Sequence, residues 1–149
     1  MVTKKVADIL RQKSGGVVTI GPHLTLQDAI SKLVEHNIGS LIVTDDQGAI
    51  AGIITERDIL RQCSKGAEEK ARTPISEVMT RDVIIGVPDD TLDYVMGIMT
   101  TNRIRHLPIL NNEDLVGMIS IGDVVHAHLQ EREFENRMLK DYIHGVRRP

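Results

Sequence analysis

Aromatic side chains are almost missing from this sequence: one Phe, two Tyr and no Trp in 149 residues. The core is therefore left to Ile, Leu, Val, Met and Ala, and a base-stacking platform for single-stranded nucleic acid is largely excluded. Cysteine is scarcer still. Cys63 stands alone, so an internal disulfide and a paired-cysteine metal site are ruled out, and a reduced, intracellular setting is expected. Neither sign of charge dominates. Lys and Arg number 18 against 21 Asp and Glu, a formal charge of −3 with a pI near 6.0, which gives no basic footprint for nucleic acid or anionic membrane. No apolar run approaches bilayer length, and Met1 to Leu10 mixes Lys4, Lys5 and Asp8 with single apolar residues instead of a signal-peptide core. The expectation is a cytoplasmic protein with no nucleic-acid partner and no membrane partner.

What is present is 41% apolar and 26% charged, the composition of a globular chain with a sizeable core. Its organising feature is an internal repeat. The stretch VVTIGPHLTLQDAISKLVEHNIGSLIVTDDQGAIAGIITERDIL begins at Val17, and VIIGVPDDTLDYVMGIMTTNRIRHLPILNNEDLVGMISIGDVV begins at Val83. Pro22, Thr25 and Ile38 match Pro88, Thr91 and Ile104 at a spacing of 66, and Gly52 and Asp58 match Gly117 and Asp123 at 65. The lost residue falls in the second polar turn, at Asn111 to Asp114.

Each copy reads as β-α-β-β-α. Thr25, with Asp28 three residues on, opens a capped helix whose Leu26, Ala29, Ile30, Leu33 and Val34 share one face. Thr91, Leu92, Val95, Met96 and Met99 repeat the pattern. Ser40 to Val43 and Ala49 to Ile54 flank a polar turn, as do Leu107 to Leu110 and Leu115 to Ile119, and a helix then starts at Thr55 or Ser120. One unit of about 60 residues is marginal alone, so two copies packed through their sheets would bury each other's apolar faces. The predicted fold class is α+β: a first repeat over 6–60, a polar linker over 61–74, a second repeat over 75–125 and a helical extension over 126–149. Short matching segments, VADIL from Val6 and ISEVM from Ile75, are predicted as helical turns leading into the first strands.

Beyond Asp123 the chain reads as one extended helix. Val125 and Leu129 share a stripe, whereas Phe134, Met138 and Tyr142 form an i, i+4, i+8 row. That row either folds back on the core or forms a homodimer contact. Arg147, Arg148 and Pro149 are expected to fray.

The chemistry concentrates where the last strand of each copy meets its helix: Gly52-Ile53-Ile54-Thr55-Glu56-Arg57-Asp58 and Gly117-Met118-Ile119-Ser120-Ile121-Gly122-Asp123. A hydroxyl residue opening a helix places Oγ beside backbone N–H groups at its positive end, where an anion can bind. The Asp three residues later faces the same mouth, and a carboxylate there can accept both hydrogens of a vicinal diol such as ribose. An isolated Ser/Thr-x-x-Asp is simply a helix cap. Its recurrence at one place in both copies is what points to a nucleotide.

These junctions, with Asn-Ile-Gly-Ser-Leu-Ile-Val from Asn37 and Arg-Ile-Arg-His-Leu-Pro-Ile from Arg103 before them, resemble paired CBS (cystathionine β-synthase) domains over Val6 to Val125. The resemblance implies two repeats about a pseudo-twofold axis, dimers of the pair in a disc-like assembly, and two clefts for adenosine compounds such as AMP, ADP, ATP, NAD or S-adenosylmethionine. Carried onto this chain, it implies that Asp58 and Asp123 hold ribose hydroxyls and that Thr55 and Ser120 lie near sugar and phosphate. Ile38, Gly39 and Ser40, and Ile104, Arg105 and His106 with Pro108, would border the base. Thr19, Ile20 and Gly21, and the segment from Arg81 to Val83, would close each pocket.

The copies differ in charge. Arg103, Arg105 and His106 stand where the first copy has Asn37, Gly39 and Ser40, and Glu56-Arg57 stands where the second has Ile121-Gly122. If the clefts face one another, Arg57, Arg105 and His106 would converge on phosphates and make the two sites unequal. Alternatively these arginines solvate an edge or pair with Glu56 and Asp82. His126 and His128 point to different helix faces and make a poor metal pair, Cys63 has no companion for a nucleophile, and Gly15, Gly16 and Gly21 read as turns.

The expected function is a non-enzymatic adenosine-nucleotide sensor, with no catalytic cofactor and no metal, acting as a homodimer on an unidentified regulated protein. A structural dimerisation or docking module with empty clefts is the competing reading. An enzyme such as inosine-monophosphate dehydrogenase, where such pairs are regulatory insertions, would need a catalytic barrel far longer than the remaining chain.

Overall fold

The computed structural model describes residues 4–13, 16–143 and 145. The expectations for Gly15 and for Arg147, Arg148 and Pro149 lie outside the described residues. Two compact units emerge, one spanning Gly16–Ile84 and the other joining the N-terminal segment to the chain from Ile85 onward.

In the first unit, α2 (Leu26–His36) begins at Thr25, whose side chain accepts the Asp28 N–H while the Asp28 carboxylate accepts the Thr25 N–H at 2.9 Å. Leu26, Ala29 and Leu33 are buried as the helical period requires, but Val34, expected on the same face, is 75% exposed at its edge. Asn37 then ends the helix in the left-handed region, at φ 52°. β1 (Thr19–Ile20) runs parallel to β2 (Ser40–Thr44), which pairs antiparallel with β3 (Ile50–Thr55). After β3 come α3 (Glu56–Cys63) and, inside the stretch read as linker, the short α4 (Ala67–Lys70). Leu41, Val43 and Ile54 join Leu26, Ala29 and Leu33 in an aliphatic core completed by Ile75 and Met79.

Those last two residues come from α5 (Ile75–Val78) and its end, ahead of the second repeat in sequence. Thr80 exchanges two 2.9 Å backbone hydrogen bonds with Ile53 of β3, and the Ile75 and Ser76 amides donate to Leu24 and Pro22. The second unit repeats this with α1 (Val6–Gln12): the Val6 and Ala7 amides donate to Asp90 and Pro88, each at 2.9 Å. Each short helix therefore completes the repeat that it does not precede. Full burial of Val6 and Ile75 supplies the driving force, about 1.5–3 kcal/mol for such a side chain.

The second unit has α6 (Leu92–Asn102), with Leu92, Val95 and Met99 buried, followed by antiparallel β4 (His106–Asn111) and β5 (Asp114–Ser120). Both hairpins shift register at the matched places, Val43/Thr44 and Ile109/Leu110. The expected first strand shrinks to one parallel bridge, Gly86 to Ile109. The cause is Pro108. Its carbonyl accepts the Gly86 N–H at 2.9 Å, but it has no N–H to extend the ladder backwards, whereas Ile42 at the matched place has one.

α7 (Ile121–Ile143) is one continuous helix of 23 residues. Val124 and Ala127 are buried, while Phe134, Met138 and Tyr142 are 63%, 58% and 85% exposed, so this row does not fold back on its own core. The architecture is α+β, two repeats and a C-terminal helix.

Candidate functional site

In the first unit, the last residue of β3 is both strand end and helix cap. Thr55 lies opposite Ser40 across the β2–β3 pair, and the Glu56 amide donates to the Gly39 carbonyl at 3.1 Å. Asp58 turns back on this corner. Its Oδ2 accepts from the Thr55 N–H at 3.0 Å and from the Thr55 hydroxyl at 3.1 Å, while the Asp58 N–H donates to Thr55 Oγ1 at 3.4 Å. Ser40 itself is buried.

The second unit builds the same corner from different residues. His106 lies opposite Ser120, and the Ile121 amide donates to the Arg105 carbonyl at 2.8 Å. Asp123 Oδ2 accepts the Ser120 N–H at 2.8 Å, and the Asp123 N–H donates to Ser120 Oγ at 3.1 Å. Pro108 is buried opposite Met118, Gly122 is exposed between cap and carboxylate, and Ile104 donates its N–H to the Met99 carbonyl at 3.0 Å. Arg103 closes α6 at φ 54°, matching Asn37 in the first unit.

Lys13 is the residue that sequence reasoning missed. Its ammonium donates to Asp123 Oδ2 and to the Met118 carbonyl, each at 2.8 Å. Burial pushes the Asp123 carboxyl up, but the Lys13 hydrogen bond and charge, together with the Ser120 backbone and side-chain bonds, outweigh it and hold the group below its ordinary value. No such cation reaches Asp58 among the described residues, whose ion pairs are Lys5–Asp89, Arg11–Asp8 and Lys13–Asp123. The matched segments, Val6 to Leu10 and Ile75 to Met79, stop short of Lys13, so the repeat carried no signal for it.

The cap chemistry narrows what each corner can do. The amides of Thr55, Glu56 and Asp58 are engaged, as are those of Ser120, Ile121 and Asp123, so these bonds leave the Arg57 and Gly122 amides for an anion. Every hydrogen bond to Asp58 and Asp123 among the described residues reaches Oδ2. Among the described residues nothing donates to either Oδ1, and two acceptor positions on one oxygen are enough for a vicinal diol.

The remaining expected residues are dispersed. Thr19 and Ile20 pair with Ile42 and Val43, and the Thr19 carbonyl accepts the Lys32 ammonium at 2.7 Å. Because β1 runs parallel to β2, Gly21 follows it away from the Ser40–Thr55 end, and residues before Thr19 lie on the side of the corner. Arg81 and Val83 fall in the first unit, where the Arg81 guanidinium donates to the Ser76 carbonyl at 2.9 Å. Arg57 is exposed in that unit, while Arg105 and His106 belong to the other. Among the described residues no cluster of His, Cys, Asp or Glu is arranged to hold a metal ion.

Comparison with known proteins adds four findings. A family model for the CBS domain matches residues 6–65 and 75–130. The chain is 39% identical over 125 residues to the mitochondrial CBS domain-containing protein CBSX3 of Arabidopsis thaliana, covering 81% of this chain and 61% of that one. Among solved structures, the CBS-domain protein ATU1752 of Agrobacterium tumefaciens superposes with a TM-score of 0.82 at 38% identity, covering 85% of this chain and 95% of that one. The CBS domain pair of protein MJ0100, solved with 5′-methylthioadenosine and S-adenosylmethionine, gives a TM-score of 0.77 at 27% identity, covering 87% and 99%. With two matched repeats, each ending in the same strand, cap and carboxylate, this chain belongs to the CBS-domain family as a tandem pair.

Proposed function

We propose that this chain is a non-catalytic regulatory module that binds an adenosine nucleotide of the AMP, ATP or NAD class and works as a homodimer. The observation that carries the reading is the duplicated corner at Thr55–Asp58 and Ser120–Asp123, where a capping carboxylate keeps one oxygen uncommitted. A diol on that oxygen and a phosphate near the Arg57 or Gly122 amide match the two polar ends of a nucleotide. The 5′-methylthioadenosine and S-adenosylmethionine of the MJ0100 pair support an adenosine-containing ligand in general. Aliphatic walls suit an adenine ring, so the shortage of aromatics is no obstacle.

Regulation requires a ligand that binds two states unequally. The exposed Phe134, Met138 and Tyr142 row supports homodimer formation, and the regulated partner would read the resulting surface. A cytoplasmic setting fits the single free Cys63. No helix among the described residues is long and apolar enough to cross a membrane.

The test separates cap from ligand site. Asp58→Asn and Asp123→Asn keep an oxygen that accepts the cap N–H but lose the charge that gathers a diol. Isothermal calorimetry with AMP, ATP and NAD should show binding to the parent chain and a loss of at least about tenfold in the double variant. Unchanged binding removes the nucleotide from these corners. No binding by the parent chain leaves the pair as a structural dimerisation or docking module.

A further inference from the structure

We propose that Lys13 sets the ligand preference of the Asp123 corner, by competing with the ribose of an uncharged adenosine compound and by turning to the phosphate of a phosphorylated one. This rests on the nucleotide-binding reading above and adds to it a residue, a direction of selectivity and a difference between the two corners.

The geometry supplies each step. Lys13 closes α1, and its N–H donates to the Ile9 carbonyl at 3.1 Å, so its backbone is anchored by a helix whose Val6 and Ile9 are buried. Its side chain is not anchored in the same way: it is 39% exposed and held by two hydrogen bonds at the tip. One of those bonds ends on the carboxylate oxygen beside the place a diol would take. A ribose approaching Asp123 meets an acceptor already serving a cation, and adenosine offers that cation no new partner. A nucleotide brings its own anion. The ammonium is a compact charge on a flexible four-carbon stem, so it can leave Asp123 for the phosphate while the carboxylate takes up the hydroxyls.

The Asp58 corner is the internal control. It has the same kind of cap, but no cation on its carboxylate among the described residues, because α5 ends at Val78 and the chain turns into its pairing with Ile53, where α1 runs on to Gln12 and delivers Lys13. The two corners should therefore treat the ligand's charge differently even though their backbone bonds coincide.

The experiment uses the whole chain with Asp58→Asn, which leaves the Asp123 corner as the binding site, and compares Lys13 with Lys13→Met. Position 13 is an exposed helix end, and circular dichroism checks that the variant is folded. Calorimetry with adenosine and ATP reads the effect. Removing the ammonium should raise adenosine affinity about two- to fivefold, the worth of a part-exposed ion pair. ATP affinity should fall about tenfold, the worth of a charge-assisted bond. In an Asp123→Asn background the same substitution should change neither ligand. An ATP-to-adenosine ratio that stays within about twofold, with both ligands still bound, overturns the role of Lys13 and leaves the nucleotide reading intact. No binding at the Asp123 corner while the parent chain binds through Asp58 also overturns it. No binding by the parent chain overturns the nucleotide reading and this proposal with it.

Discussion

Met79 fills the space that a side chain at Gly52 would need: a Cβ built there falls 2.7 Å from Met79 Sδ and 2.8 Å from the Thr80 carbonyl oxygen. Leu10 stands in the same relation to Gly117, its methyl group occupying the place of the absent Cβ. Met79 and Leu10 are matched residues of the two exchanged segments, so these glycines are the seats on which each repeat receives the other's leading helix. Gly52→Ala should cost about 1–3 kcal/mol, because the Thr80 carbonyl is backbone and is fixed by its pairing with Ile53. Gly117→Ala should cost less, because the obstructing atom is the rotatable end of Leu10. Urea denaturation of the two variants checks the order, and equal losses would mean that Thr80 yields as readily as a leucine methyl.

A second prediction comes from the helix ends. Asn37 and Arg103 occupy the same left-handed position, at φ 52° and 54°, after α2 and α6. Asn tolerates that region, whereas Arg pays about 1 kcal/mol in contact between its Cβ and the following carbonyl. Arg103→Gly should therefore raise stability by up to about 1 kcal/mol, and Asn37→Ala should lower it by a similar amount. Thermal unfolding measures both, and a fall in melting temperature for Arg103→Gly would mean that its side chain holds something worth more than the strain.

The local layer of this molecule was legible because its signals are local. Thr25, Thr55, Thr91 and Ser120 each meet an amide three residues on, and the apolar period of Leu26, Ala29 and Leu33 names the buried face. The carboxylates at the corners were legible for the same reason, since Thr55 and Asp58 are three residues apart. The exchange of α1 and α5 was not. Val6 and Ile75 carry the same hydrophobic demand wherever they land, and either repeat offers a glycine seat. Lys13 escaped for a related reason: it stands 110 positions from Asp123, so only the exchange brings them together. Nor does a period of 3.6 say where a helix outruns its core, which is why Val34 and the Phe134 row are exposed.

Acid titration tests the Lys13–Asp123 contact without any ligand. In the unfolded chain Asp123 titrates near its ordinary value of 3.8, and in the fold its value is lower. The stability this supplies is present above the unfolded value and is lost as pH falls through the folded one. Asp123→Asn should be less stable than the parent near neutral pH, and the gap should close below about pH 4. Urea midpoints measured across that range decide it. A gap that persists unchanged into acid would assign the loss to the cap and not to the charge.

The outer half of α7 carries the last prediction. Phe134, Met138 and Tyr142 lie one above another on a helix that extends about 1.5 Å per residue, beyond the turns where Val124 and Ala127 are buried. The three share one exposed stripe, and the same row of a second copy would meet it as an apolar seam. Phe134→Glu with Met138→Glu places like charges in that seam and should convert a dimer to a monomer by light scattering. Because both positions are exposed within the chain, the melting temperature measured at low concentration should hardly move. A mass that stays dimeric would exclude this row as the contact, and a monomer that also unfolds early would show that the row stabilises its own unit.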